Sequence, residues 1–536
     1  MDDMPRRVWL SLVMLATGAA LMVVAQLAGA ARDRTGGIFR VGTTGASVQI
    51  DPQLSYVSTG WWLEYATAAK LYNYRPGGKL VPEVASSFKV SQDGRKYTFF
   101  IRKGFRFSDG TRVTPASFTY AIDRVANHDL GSPGAQFITN SSDGGVDIAG
   151  ALVVNEGNGT RVTGAQARGN KLVIKLNRAS GKLISVLTLP FFQATSRKLA
   201  LDREAVSVTS MNDLPTAGPY AFALNDPNRL TSLRRNPYWK RGPGRTAARN
   251  LVGVDLQWNL DERTAFELVN ANQLDEGPLP ASEVESVARR YGVNRTRFWA
   301  KPVGCLGWIA LNTREGLFKD NPSLRQAVNW AIDRTDFLAN ASPYSMTPWT
   351  HLIPPGFPGS ITKPALQPYG ARADMNKARQ IAAGHYGDGH VVLAYRAGGP
   401  PNPRVAVVRR NLTDLGLDVT LAPFFDYPPP SSEWDLLLGY GWCLDATADP
   451  GDFVTAVKAS LSPAYVTKLT NADRLTGQKR IHALGRLDVE IMKNDAPLVV
   501  TNAYNNRFYF SSRVDPKSLK YHAVYQDWSI PSLALK

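Results

Sequence analysis

Asp445 closes the run Gly439-Tyr440-Gly441-Trp442-Cys443-Leu444-Asp445. Trp442, Cys443 and Leu444 are apolar, and a carboxylate held among such neighbours is costly unless it meets a cation. The chain's own 62 lysines and arginines can supply that cation. So can a ligand that carries an ammonium group, and the residues alone leave both open. Gly439 and Gly441 let the main chain come close to a ligand. Trp442, like Trp61-Trp62 after Gly60, offers an aromatic wall suited to peptides and sugars alike, although core packing accounts equally well for any single tryptophan.

Other arrangements with chemical potential fail on context. Gly242-Pro243-Gly244-Arg245-Thr246-Ala247 fits G-x-G-x-x-A, but 236–240 does not read as the strand that a dinucleotide fold requires, and Pro243 interrupts the motif. His385 and His390 lack the helical spacing of a zinc protease pair. No G-x-S-x-G, P-loop or H-E-x-x-H occurs. The expectation is therefore a protein without catalysis, metal or cofactor.

These residues sit in a chain of 536, long enough for about three or four domains, or for two large lobes with an inserted one. Apolar residues make 44% and charged residues 20%, as in ordinary globular proteins, which excludes disorder, collagen and coiled coil for the whole. A mean hydropathy of −0.21 excludes a polytopic membrane protein. The formal net charge is +17. Without a long basic run or a nucleic-acid motif, that charge reads as a solvated surface, compatible with anionic lipid, and nucleic acid is not an expected partner. The two cysteines, Cys305 and Cys443, allow one bridge. Residues 1–30 read as an export signal: Arg6-Arg7, an uncharged apolar stretch, then Ala28-Gly29-Ala30 as an A-x-A cleavage site. An uncleaved anchor is the alternative. Ala30 stands where a lipoprotein would have cysteine, so lipidation is not expected. Export places the protein where a disulfide persists.

The positioning elements are mixed α and β. Ile38-Phe39-Arg40-Val41-Gly42 reads as a first strand, and 97–102 as a strand with Tyr97, Phe99 and Ile101 on one face. Thr114-Pro115 opens a helix with the stripe Phe118, Ala121, Ile122 and Val125. Asn321-Pro322 opens another with Leu324, Ala327, Val328, Ala331 and Ile332 at helical spacing. Leu436-Leu437-Leu438 reads as a buried strand followed by the glycine-rich run, and 497–501 as a late strand. Residues 397–403 and 428–430 read as loops.

Tyr97-Thr98-Phe99-Phe100-Ile101-Arg102-Lys103-Gly104-Phe105-Arg106-Phe107-Ser108-Asp109-Gly110-Thr111 resembles the signature segment of the bacterial extracellular solute-binding proteins of family 5, the peptide- and nickel-type receptors of ABC importers. Ala217-Gly218-Pro219-Tyr220, Arg235-Asn236-Pro237-Tyr238-Trp239, Leu311-Asn312-Thr313-Arg314 with Phe318-Lys319-Asp320, and Leu324-Arg325-Gln326-Ala327 through Asp333-Arg334 are similar too, in the same order. The resemblance implies an α/β, two-lobed periplasmic-binding-protein fold (type II, large cluster C-like) with a ligand cleft between the lobes. The first lobe would be 31–304 plus 496–536, with an inserted subdomain at about 71–213, and the second 305–495. It implies a monomeric receptor that closes on cargo and delivers it to a membrane permease. Gly441-Trp442-Cys443-Leu444-Asp445 with Asp449-Pro450 looks like the segment in which peptide-binding members receive a ligand α-ammonium group. By that likeness Asp445 is the anchor, with Trp442, Gly441 and Tyr440 beside it. Cys305 and Cys443 fall where some oligopeptide-binding members form a disulfide. Peptide is the expected cargo; a sugar, nickel chelate, haem or opine, or a regulatory role without transport, are the alternatives. Leu71-Tyr72-Asn73-Tyr74-Arg75 departs from the Tyr-Glu-Gly-Leu stretch common in the family.

Overall fold

The computed structural model describes residues 36–139, 144–202, 206–397, 402–443 and 449–536. The export signal and Asp445 lie outside these described residues. Among the described residues no helix is long and apolar enough to cross a membrane.

A single mixed sheet of eleven strands runs through both lobes. From one edge its order is Asp418–Phe424, His390–Arg396, Leu436–Cys443, Phe298–Leu311, Leu498–Phe510, Glu276–Gly277, Ile38–Gly42, Gly253–Gln257, Leu230–Arg235 and Tyr220–Asp226, with Met346–Pro348 paired to Leu498–Phe510 off this path. The two longest strands, Phe298–Leu311 and Leu498–Phe510, are antiparallel neighbours and carry the chain between the lobes. Phe298 packs in a first-lobe cluster with Phe266 and Tyr509. Leu306 belongs to a second-lobe core with Phe357, Leu484 and Val500, and Ile309 to another with Leu324, Val328, Leu393 and Leu436.

The ladder breaks where the strands change lobes. Pro302 pairs with Asn505, but the next pair is Leu306 with Ala503, so three residues oppose Tyr504 alone. Proline has no N–H for a ladder, and such a bulge is where a sheet tolerates it. The Tyr521 hydroxyl donates to Pro302 O at 2.7 Å, tying the C-terminal segment to this point.

The strands Ala85–Val90, Lys96–Ile101, Lys171–Lys175 and Ala165–Arg168 form a separate antiparallel sheet in that order. The alternation read at Tyr97, Phe99 and Ile101 holds, with those three buried. The helix Pro115–Ala126 buries Phe118, Ala121, Ile122 and Val125, and Thr114 N donates to Ser117 Oγ at 3.2 Å at its start. This sheet and helix share one continuous apolar core with Phe39, Trp62, Val254 and Trp528 of the first lobe. The helix Pro322–Ala331 begins as expected, with the Asn321 side chain accepting from Leu324 N at 3.2 Å.

Three expectations are corrected. The strand at Leu436 does not stop before the glycines but runs to Cys443. It passes Gly439 by a bulge, Trp308 pairing with Tyr440 and Ile309 with Leu438. Gly439 has φ +114°, a conformation that only glycine adopts without strain. The late strand is thirteen residues long, not five. Pro403 belongs to no loop: it is the first residue of the helix Pro403–Leu415, whose N-cap Asn402 accepts from Arg404 N.

Candidate ligand cleft

The strand directions place a cleft. Ile38–Gly42 runs parallel to Gly253–Gln257 and to Glu276–Gly277. Glu276 pairs with Phe510 and Gly277 with Tyr509, so these strands point their carboxyl ends toward the crossover. In the second lobe, His390–Arg396 is parallel to Asp418–Phe424 and to Leu436–Cys443. Leu311 pairs with Leu436 and Cys305 with Cys443, so that set also ends at the crossover. The carboxyl ends of the two parallel sets therefore face each other, and it is outside such ends that open α/β sheets bind ligands.

On the second-lobe wall, Cys305 and Cys443 form a disulfide directly across the paired strands. It fastens the end of the strand that carries Tyr440, Gly441 and Trp442 to the crossover strand. A Cβ on Gly441 would lie 3.2 Å from Leu306 O and 3.3 Å from the Tyr504 hydroxyl, so glycine here also serves close strand packing. Asp445 follows two residues beyond Cys443 in sequence.

On the first-lobe wall a cavity of about 240 Å³ opens at the carboxyl ends, bordered by Gly42, Thr43, Trp62, Glu276, Phe508 and Asp527 among others. Trp61 and Trp62 lie inside the helix Ser58–Thr67 and are buried, so of the two readings left open for them core packing holds, with Trp62 also bordering the cavity. Trp62 Nε1 donates to Trp528 O at 2.7 Å, which fixes its ring at the cavity wall. Asp527 accepts from Trp528 N at 2.6 Å. Burial pushes the Glu276 carboxyl well above its ordinary range, and the Asp527 charge adds to this. Burial raises Asp527 likewise. Sequence reading missed both, because neither belongs to a motif and they come together only through the fold.

The profile of the bacterial extracellular solute-binding proteins, family 5 Middle, matches residues 79–461. The chain belongs to this family. It is 22% identical over 279 residues to the oligopeptide-binding protein OppA of Bacillus subtilis, a match that covers 52% of this chain and 49% of that protein. It is 24% identical over 413 residues to heme-binding protein A of Haemophilus influenzae, covering 74% and 72%. The solved structure of MppA, a periplasmic murein tripeptide-binding protein in its unliganded open form, superimposes with a TM-score of 0.78 at 18% identity, covering 93% and 97%.

The residues by which the family is recognised hold the scaffold. Asn236 Nδ2 donates to Gly218 O at 3.0 Å, and Gly218 is a close approach at which a Cβ would lie 2.5 Å from Thr67 C. Asn312 Nδ2 donates to Ser431 O and Trp434 O, joining the crossover strand to the segment before Leu436. Arg325 binds Asp495 through its main-chain and side-chain oxygens. Arg334 is buried and donates to Val500 O, Asn329 O, Ile332 O, Gly370 O and Asn329 Oδ1, locking the helix Pro322–Ala331 to the crossover strand. These arginines saturate main-chain carbonyls that burial would otherwise leave unpaired.

Proposed function

We propose that this protein is the extracytoplasmic receptor of an ABC importer that takes peptides, closes its two lobes on them and hands them to a membrane permease. The observation that carries the reading is the cleft between opposed carboxyl ends of parallel strands, in a chain of a solute-binding family whose crossover ladder is interrupted at Pro302. A break in the ladder at the junction is suited to hinge closure. OppA and MppA are by name oligopeptide- and tripeptide-binding. The first-lobe wall carries two carboxylates, which suits a cargo with an ammonium group better than an anionic one.

In this reading Asp445 takes the peptide's α-ammonium group by a charge-assisted hydrogen bond, with Trp442, Gly441 and Tyr440 beside the peptide. The protein is exported, cleaved after Ala30, carries no lipid and works as a monomer. The test is mass spectrometry of ligand released from protein purified from its native host. Calorimetric titration of that peptide and its N-acetylated form into wild type and Asp445→Asn follows. Acetylation is expected to weaken the wild type on the order of 30-fold or more and the variant little. A non-peptide ligand rejects the cargo. Equal binding of both forms by both proteins rejects Asp445 as the anchor.

A further inference from the structure

Adjacent acidic residues at the start of the short strand Glu276–Gly277 are treated very differently by the fold. Asp275 accepts from Arg40 N at 2.9 Å and Ser511 Oγ at 3.2 Å, and lies 3.6 Å from the Arg513 guanidinium. Glu276, the next residue, faces the other way into the cavity at the carboxyl ends. It is 9% exposed, and its buried Oε2 has no hydrogen-bond partner among the described residues. Asp527 borders the same cavity.

The neighbouring cations are engaged elsewhere. Arg507 borders the cavity but donates to Ser342 Oγ at 3.0 Å and Pro343 O at 3.4 Å. The Lys301 ammonium lies over the Trp299 ring at 4.9 Å and the Trp528 ring at 5.9 Å, held by ring faces and forming no ion pair with either acid among the described residues. A buried carboxylate without a partner is a standing cost to the folded protein, and a group arriving with a ligand removes it. Trp62 and Phe508 add aromatic walls, which favour an organic cation. A calcium ion would need six to eight oxygen ligands, more than two carboxylates supply. No group of three or more acidic, histidine or cysteine side chains able to hold a metal occurs among the described residues.

We propose that Glu276 and Asp527 form a cation subsite on the first-lobe wall of the cleft that takes an ammonium or guanidinium group of the cargo. The inference rests on the peptide reading and deepens it, since it makes a basic residue in the peptide a determinant of affinity. The cationic group can come from a side chain or from the α-amine, and the arms of the test separate the two.

Alanine tripeptides with lysine at each position in turn, and the same peptides with norleucine, are titrated into wild type, Glu276→Gln and Asp527→Asn, all freed of co-purified ligand. At one position lysine is expected to bind wild type on the order of tenfold to a hundredfold more tightly than norleucine, the range for a buried charged hydrogen bond. In both variants that ratio should collapse toward one. If the Glu276 dependence instead disappears on N-acetylation and ignores lysine, the subsite takes the α-amine and the Asp445 assignment falls. A wild-type ratio near one with no effect of acetylation, or a lysine preference that survives in both variants, overturns the subsite.

Melting curves provide a readout independent of peptides. Ligand-free Glu276→Gln should melt above wild type, since it discharges an unpaired buried acid; a lower melting temperature means Glu276 is paired within the protein and overturns the proposal. If none of the tripeptides binds wild type, peptides of this length and composition are not its cargo. The subsite is then judged by lysine amide and arginine amide, which must raise the wild-type melting temperature and not that of Glu276→Gln; no shift in wild type overturns it too.

Discussion

Replacing Cys305 and Cys443 together by serine removes a cross-link between residues 138 apart in sequence. Closing a loop of that length lowers the entropy of the unfolded chain by an amount worth about 5 kcal/mol at 25 °C, and measured bridges typically deliver roughly 2–4 kcal/mol of such a figure. The folded state should change little. The bridge joins residues already paired in a ladder that continues to Leu311 and Leu436, so its loss leaves that pairing in place. The effect therefore acts through the unfolded state and is felt by the second lobe, which holds both cysteines. For a lobe of this size a loss of 2–4 kcal/mol corresponds to a fall of roughly 5–15 °C in its melting temperature. Scanning calorimetry of wild type and the double serine variant, without reductant, reads the shift directly. Hydrogen exchange should rise throughout the second-lobe amides that exchange only by unfolding of the lobe, those of Leu436–Cys443 among them. Superimposable transitions would refute the reasoning, as would two titratable thiols in unreduced, denatured wild type. A fall in the first lobe's transition alone would show that the cross-link acts elsewhere than argued.

Three further outcomes follow from the packing. Arg334→Met leaves the carbonyls of Val500, Asn329, Ile332 and Gly370 without this donor and should cost ~3–5 kcal/mol in urea denaturation. Arg334→Lys should recover only part of this, because an ammonium cannot reproduce the fork. Gly181 N donates to Asp473 O at 3.0 Å, joining the segment after the four-stranded sheet to the end of the helix Pro463–Asp473, and a Cβ there would fall 1.7 Å from Leu475 O. Gly181→Ala should therefore part this contact and loosen the neighbouring Lys182–Asp452 ion pair, read as faster hydrogen exchange in Pro463–Asp473. Asp488 accepts from Leu352 N and Ile353 N, and burial raises its carboxyl from 3.8 to about 7. The folded state thus holds this proton more tightly than the unfolded one. The stability that comes from the protonated form is complete below pH 4 and is lost as pH rises toward 7, by at most ~1.4 kcal/mol per unit. Wild type should lose stability relative to Asp488→Asn across that window, and a difference independent of pH would refute the shift.

The features legible from the residues alone are local. Thr114-Pro115 and Asn321-Pro322 start helices because capping and a fixed proline φ act within one turn. The alternation at Tyr97, Phe99 and Ile101 marks a strand because period two is a property of neighbouring residues. The family segments were legible for a related reason. Asn236, Asn312, Arg325 and Arg334 each answer a backbone need that the scaffold imposes, so the residue types in these segments are tied to the fold. The pairing of Cys305 with Cys443 followed from likeness to the family, and the strand register confirms it.

The features that local sequence did not reveal depend on contacts between residues remote in sequence. The bulge at Pro302 is set by which strand lies beside Phe298–Leu311, and nothing in 498–510 announces that partner. The run through Gly439 reads as the end of a strand until Trp308 and Ile309 are placed opposite it, because a positive φ can end a strand or merely kink it. Glu276 and Asp527 are ordinary surface acids in sequence. They share a cavity because Glu276–Gly277 joins the sheet parallel to Ile38–Gly42, while the C-terminal segment returns under Trp62 to set Asp527 there. A side chain's own sequence neighbourhood does not reveal whether water or protein will surround it; the packing of distant elements settles that, and with it whether a carboxylate is solvated or buried without a partner.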